Sequence, residues 1–238
     1  MQSIIEKIED YIKNNQIDVE YDYFLFHKNR YLDLLKRLRE TKKDSAKLLD
    51  VGSYAGHVLI GAKEIGYNAY GCDIEKYCDM YRSRFESLGI DNRTCGFPQD
   101  KIPFDENYFN VVVMAEVIEH YNFHPSVVLR EVFRVLKPEG RILITTPNQS
   151  RLNNRIRAFL GKSIHWDIDS GFNDMAHFRE YTGQELEQLL EQTNFKNIKS
   201  EYVYIDYPGA NFFVKIINKF FGFFAKSFKS NIITTAEK

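Results

Sequence analysis

The sequence predicts an α/β fold, a doubly wound and mainly parallel sheet with helices on both faces and an N-terminal helical lid. Three observations carry this prediction. Between Lys47 and Pro147, short apolar runs alternate with amphipathic helical stretches, the pattern of consecutive β–α units. The run "YFNVVVMAE" (108–116) is β-branched and continuously apolar, as expected of a strand buried on both faces. The segment after the first apolar run, "DVGSYAGH" (50–57), is bracketed by glycines that permit a sharp strand-to-helix turn.

The elements follow in order. "SIIEKIEDYI" predicts a helix with a capping box, Ser3 with Glu6, and with Ile4, Ile5, Ile8, Tyr11 and Ile12 on one face. "RYLDLLKRLR" predicts a second, with Tyr31, Leu34, Leu35 and Leu38 inward. "KLLDV" is the first strand, followed by a helix to about Ile65, and "NAYGCD" is the second strand. "YCDMYRSRFESLG" reads as one helix stopped at Gly89, and a weakly signalled third strand lies near Arg93–Cys95. After the fourth strand, "HPSVVLREVFRVLKPEG" is a helix with Val128, Leu129, Val132, Val135 and Leu136 inward, closed by Pro138 and Gly140, and "RILITTP" is the fifth strand. A long mixed connection then runs to Tyr181, where such sheets usually carry substrate contacts. A capping box, Thr182 with Glu185, opens the next helix, and "NIKSEYVYIDY" and "SNIITTAEK" read as strands. Between these strands, "NFFVKIINKFFGFFAKSF" (211–228) reads as a helix that packs on the core or on a second copy in a homodimer. This is preferred to an interfacial membrane helix with Lys215, Lys219, Lys226 and Lys229 on lipid phosphates. The expected organisation is one domain over 1–238, with N-terminal helices (1–45), a ligand-binding core (46–148), an insertion (149–181) and a C-terminal part (182–238).

The 238 residues suit one full-sized core, and 44% hydrophobic with 27% charged residues is ordinary for a soluble globular protein. A net charge of −1 gives no bulk electrostatic case for nucleic acid. The charged, amphipathic N-terminus is unlike a signal peptide, and no apolar run reaches the roughly 20 residues of a membrane span. Cys72, Cys78 and Cys95 form no metal-like spacing and read as reduced, packed thiols. The expectation is a cytoplasmic protein without membrane association.

In a doubly wound sheet the ligand sits outside the carboxyl ends of the strands. "DVGSYAGH" occupies the first such turn, but Tyr54 stands where a dinucleotide loop needs its second glycine for close approach of a pyrophosphate. Asp73, at the end of the second strand, is placed to accept ribose hydroxyls. The turn therefore reads as a nucleoside site without a firm phosphate site.

Taken together, Asp50 with Gly52 and Gly56, then "GCDIE", "IPFDENYFNVVVMAEVIEH" and "LREVFRVLKPEGRILITTPN" resemble the class I S-adenosylmethionine-dependent methyltransferases in order and spacing over about Lys47–Asn148. The resemblance implies a Rossmann-like, seven-stranded sheet with an antiparallel last strand, and a cofactor that has no phosphate. It implies that Asp50 and the loop Gly52, Ser53, Tyr54 and Gly56 hold the methionine part. Asp73 would hold the ribose, Ile74 the adenine face, and Gly96–Asp100 the adenine edge. Phe97 stands where family members often carry an acid, which leaves adenine recognition to Asp100 or to backbone groups. Ala115 and Glu116 would close the methionine side.

Methyl transfer from a sulfonium needs placement and, for a hydroxyl acceptor, a base or a metal. In "EVIEH", a helical turn would bring Glu116, Glu119 and His120 together. His120 is then a candidate general base. Glu-x-x-Glu-His with a later histidine, His177, is similar to metal-dependent small-RNA 2′-O-methyltransferases and quinone O-methyltransferases, which implies a possible Mg or Mn site on Glu116, Glu119, His120 and His177. The same segment also resembles methyltransferases that need no metal. On the acceptor side, Arg151 and Arg155, with Arg157 and Lys162, could meet an anionic group or could simply be the solvated face of a helix. His165 and Trp166 could stack on a sugar ring. Arg179 could orient His177 or fasten the insertion to the body. The first expectation is O-methylation of a sugar or glycan. A quinone-like phenol and an RNA 3′ end follow, and a non-catalytic module that only binds S-adenosylmethionine stays open.

Overall fold

The computed structural model describes residues 1–14, 18–42, 44–165, 176–205, 220 and 225–238. Most of the Phe-rich segment and Trp166 lie outside the described residues. A seven-stranded sheet organises the chain in the order β3-β2-β1-β4-β5-β7-β6. Its strands are β1 (Lys47–Val51), β2 (Asn68–Asp73), β3 (Asp91–Thr94), β4 (Phe109–Ala115), β5 (Leu136–Pro147), β6 (Lys196–Val203) and β7 (Asn231–Glu237). β1 pairs in parallel with β2 and β4, β2 with β3, and β4 with β5. Only β7 is reversed, and it is antiparallel to both β5 and β6. Among the described residues no helix is long and apolar enough to cross a membrane.

Strand alternation sends side chains to two separate cores, which is why helices cover both faces. Leu48, Val111 and Val113 meet α1 (Gln2–Asn14), α2 (Asp18–Glu40) and α3 (His57–Ile65) through Ile5, Ile8, Leu35 and Leu59. Leu49, Val112 and Met114 meet α6 (Ser126–Val135) and α8 (Gly183–Gln192) through Leu129, Val132, Leu186 and Leu190. The expected faces of both N-terminal helices are largely buried, with Ile5, Ile8, Ile12, Leu34, Leu35 and Leu38 at most 1% exposed.

Three local expectations differ from the structure. α1 starts at Gln2, with the amides of Ile4 and Ile5 on the Met1 carbonyl, so Ser3 lies inside the first turn and does not cap it. The helix expected up to Gly89 divides at Tyr81 (φ −111°, ψ 13°) into α4 (Glu75–Met80) and α5 (Arg82–Ser87). α6 ends at Val135, and the extended Leu136 already belongs to β5, so Pro138 and Gly140 lie in the strand. Pro138 disfavours helix at the residue before it, which stops the helix earlier than the apolar pattern suggests. The capping box at Thr182 and Glu185 forms as expected.

Candidate active site

The candidate site lies at the carboxyl ends of β1, β2, β4 and β5. In the turn after β1, Gly52 (φ 79°) and Gly56 (φ 80°) adopt the left-handed conformation that favours glycine. A Cβ on Gly52 would stand 2.5 Å from Val117 Cγ2, and one on Gly56 2.7 Å from the Phe85 ring. Both glycines are thus also required by the packing beneath the loop. Tyr54 also has positive φ, 44°. Its ring packs on Tyr23, Tyr77 and Tyr81 at centroid distances of 5.6, 5.0 and 5.4 Å, so it joins the loop to α2 and α4.

Asp73 holds this loop. One carboxylate oxygen accepts from the Tyr54 amide and the other from the Ile74 amide, both at 2.7 Å. Burial raises its pKa to about 6 against the lowering effect of these two hydrogen bonds. Asp50 is 2% exposed, and its Oδ1 has no hydrogen-bond partner among the described residues. Burial, then the Asp73 charge, push the Asp50 carboxyl well above its usual range. Ser53 donates to Asn92 Oδ1 at 2.7 Å. Beyond β3, Asp100 accepts from the Gly96 amide at 2.7 Å, which shapes the turn that Phe97 occupies, and Ile74 is exposed.

Glu116 follows β4 in a left-handed conformation (φ 58°), strained for a non-glycine residue. Its Oε1 accepts from Thr145 Oγ1 at 2.9 Å, and Oε2 lies 3.2 Å from an Arg30 guanidinium nitrogen of α2. Ile118–His120 form a short 3-10 turn. Glu119 is fully buried and accepts from Thr146 Oγ1 at 3.0 Å, while its Oε1 has no partner among the described residues. Burial and then Glu116 push its carboxyl well above the usual range. His120 Nδ1 donates to the Ala176 carbonyl at 2.9 Å, and burial lowers its pKa, so the ring is neutral with Nε2 as the basic nitrogen.

Ligand atoms of Glu119, His120 and His177 lie within 4.8 Å of one another. Glu116, the fourth expected ligand, is not in this group. Arg30 and Thr145 engage it, because the strained turn after β4 aims its carboxylate at α2. His177 also reaches Glu180, whose pKa is held at about 2: burial raises it, and the His177 and Arg151 hydrogen bonds overcome that.

A cavity of about 450 Å³ opens beside these groups, with Tyr23, Phe26 and His27 of α2 on one side and Pro147, His120 and Arg151 on the other. Of the expected acceptor residues, Arg151 is in this wall, paired with Glu180. Arg155 instead donates to the Ser150 carbonyl and to Ser227, and Arg179 pairs with Glu185, so both fasten the insertion to the body. His165 is exposed and lies with His177 and Glu180 around a crevice of about 10 Å³. The sequence predicts the C-terminal half of α2 but not the N-terminal half that walls the site. Its Tyr23, His27 and Arg30 recur at i, i+4 and i+7 on one face, a spacing present in "YDYFLFHKNR" but masked by the high overall polarity of the segment.

A buried acid at the end of β1 whose Oδ1 has no partner among the described residues, an amide-clamped acid at the end of β2 and a mainly parallel sheet point to a nucleoside-binding α/β domain. Comparison with known proteins makes this specific. The methyltransferase domain family matches residues 21–200, and the chain belongs to it. It is a class I S-adenosylmethionine-dependent methyltransferase domain, with S-adenosylmethionine as cofactor. The ubiquinone/menaquinone biosynthesis C-methyltransferase of Paraburkholderia phymatum is 40% identical over 161 residues, covering 65% of this chain and 65% of that protein. The mitochondrial ubiquinone biosynthesis O-methyltransferase of Bos taurus is 28% identical over 152 residues, 61% of this chain and 40% of its own length. The chain thus spans less than two thirds of either relative. Among solved structures, a methyltransferase of Thermotoga maritima, described as a possible histamine N-methyltransferase, shares the fold with a TM-score of 0.63 at 16% identity, covering 100% of both chains.

The residues present fit the cofactor. The partnerless Asp50 Oδ1 suits the ammonium group of its methionine part, and Asp73 suits a ribose diol.

Proposed function

We propose that this domain methylates a hydroxyl of a small aromatic acceptor held in the cavity under α2. The single observation that carries this is the half-buried His120, fixed by the Ala176 carbonyl with its pKa lowered by partial burial, and placed in a cavity wall that Tyr23 and Phe26 face from α2. S-adenosylmethionine, when bound, supplies an electrophilic methyl group on a sulfonium. Asp50, Asp73 and the glycine loop hold and orient it. Tyr23, Phe26 and Pro147 offer flat apolar surface to an aromatic ring. With the cofactor bound, His120 Nε2 would accept the hydroxyl proton as the oxygen–methyl bond forms and the sulfur–methyl bond breaks, the sulfur leaving as a neutral thioether, and Glu116 nearby would favour the resulting imidazolium.

The names of the relatives above, which concern quinone biosynthesis, support a phenolic or quinol-like acceptor. The glycan expected first has no such support from them, and Trp166, named as a platform on which a sugar ring could stack, is outside the described residues. The test is a panel of hydroxylated aromatics and nucleotide sugars incubated with methyl-labelled S-adenosylmethionine. Label in aromatic methyl ethers supports the reading. Label only in sugars, or binding without any transfer, rejects it, and the second outcome would favour a non-catalytic module.

A second reading has its own observation. Glu119, His120 and His177 gather their ligand atoms within 4.8 Å, and Glu119 Oε1 is buried without a partner among the described residues. We infer that this trio could hold a divalent ion such as Mg or Mn, which would polarise the acceptor hydroxyl in place of a base. Activity unchanged by EDTA, with no heat of Mn²⁺ binding in calorimetry, rejects it.

A further inference from the structure

A buried network away from the reacting groups joins the N-terminal helices to the cofactor loop. Glu20 of α2 is 0% exposed, His57, the first residue of α3, 3%, and Arg84 of α5 8%. Arg84 meets Glu20 through both terminal guanidinium nitrogens, the second at 2.8 Å, and one of these also donates to the Ala55 carbonyl at 2.9 Å. His57 Nε2 donates to Glu20 Oε1 at 2.8 Å. Since a carboxylate only accepts, Nδ1 of this neutral ring is the acceptor, and it takes the Tyr31 hydroxyl at 3.1 Å. Ala55 and His57 belong to the turn and helix start that hold the cofactor, whereas Glu20 and Tyr31 belong to α2. Burial of a full ion pair is expensive and contributes little net stability compared with apolar packing. Its distinctive property is geometry, because bidentate guanidinium–carboxylate contact fixes both distance and orientation.

The same helix carries Tyr23, His27 and Arg30, which wall the acceptor cavity, and Arg30 reaches Glu116. Tyr23 also rests on Tyr54 of the cofactor loop. We propose that Glu20 is a positioning residue: through Arg84 and His57 it latches α2 to the cofactor loop, so that cofactor binding sets the wall of the acceptor cavity. Ordering the Gly52–Gly56 turn by ligand then tightens α2, and the cofactor binds before the acceptor. The proposal rests on the cofactor site and is independent of which acceptor is methylated.

Hydrogen–deuterium exchange of the full chain, with and without S-adenosylhomocysteine, tests this. In the wild-type protein the ligand should slow exchange in the Gly52–Gly56 turn and, by about ten-fold, in α2. In Glu20→Gln the turn should remain protected by the ligand while α2 loses that added protection. A purely structural role would lower the melting temperature and leave the ligand-dependent protection of α2 intact. Equal α2 protection in both proteins, or none in the wild type whose turn is protected, overturns the latch. Should Glu20→Gln fail to fold, Tyr31→Phe removes one hydroxyl from the network and should weaken the same protection; unchanged protection there overturns the proposal. No protection anywhere in the wild type would reject the cofactor site itself and the latch with it.

Discussion

Cofactor affinity should rise with pH through the titration of Asp73. Its carboxylate must be ionised to accept from both the Tyr54 and Ile74 amides and from ribose hydroxyls, and its pKa stands at about 6 rather than 3.8. About one tenth of the protein then carries the competent carboxylate near pH 5 and about nine tenths near pH 7, a difference of about ten-fold, or about 1.4 kcal/mol. The folded-state pKa is raised, so the stabilising contribution of the protonated acid to the ligand-free protein is complete below 3.8 and is lost as pH rises through about 6. Over that interval the melting temperature without ligand should fall while the shift produced by ligand grows. Calorimetric titration with S-adenosylhomocysteine at constant ionic strength reads the affinity directly. Asp73→Asn leaves one of the two amides facing an amide NH₂, should cost about 1.5–3 kcal/mol of binding, and should remove the step near pH 6. Affinity that is flat between about pH 5 and pH 7 in the wild type, or wild-type affinity in Asp73→Asn, would refute this reasoning.

His120→Ala should lower kcat by about 10²–10⁴ with S-adenosylhomocysteine affinity unchanged, and parallel loss of affinity would assign His120 a structural role. Gly52→Ala should destabilise the fold by about 1–3 kcal/mol through its left-handed backbone, with a further cost from the clash with Val117. Adding Val117→Ala should restore only the packing part, and wild-type melting of Gly52→Ala alone would contradict the structure. Arg30→Met leaves the Glu116 carboxylate buried without its cation and should cost about 3–5 kcal/mol in denaturant unfolding, whereas a loss below about 1 kcal/mol would show the pair to be solvated.

The sheet was legible because β1, β4 and β5 are apolar runs and the larger covering helices have a 3.6-residue apolar period, whereas the polar edge strand β3 ("DNRT") gave little signal. "KLLDV", "NAYGCD" and "YFNVVVMAE" each contain a strand of the structure. Boundaries were less legible where a single residue decides them. Tyr81 interrupts a helix with no glycine or proline to mark it, and α6 stops at Val135, one residue before the apolar pattern ends at Leu136. In the site, Asp50 and Asp73 announce themselves by standing at strand ends. The partner of Glu116 could not be found that way: a positive φ at Glu116 and a helix 86 residues earlier, bringing Arg30, have no local signature. The same holds for Glu20, His57 and Arg84, three unremarkable surface-type residues in the sequence that the fold buries together. Long-range ion pairs are products of topology, whereas strands and turns are products of local pattern.

The central claim is that the cofactor's sulfur faces the cavity beside His120. The most direct measurement is a crystal structure of the protein with S-adenosylhomocysteine. The expected result is ribose hydroxyls on Asp73, the methionine ammonium group toward Asp50, and the sulfur opening toward the cavity between His120 and α2. A ligand bound elsewhere, or a sulfur turned away from His120, would contradict the account.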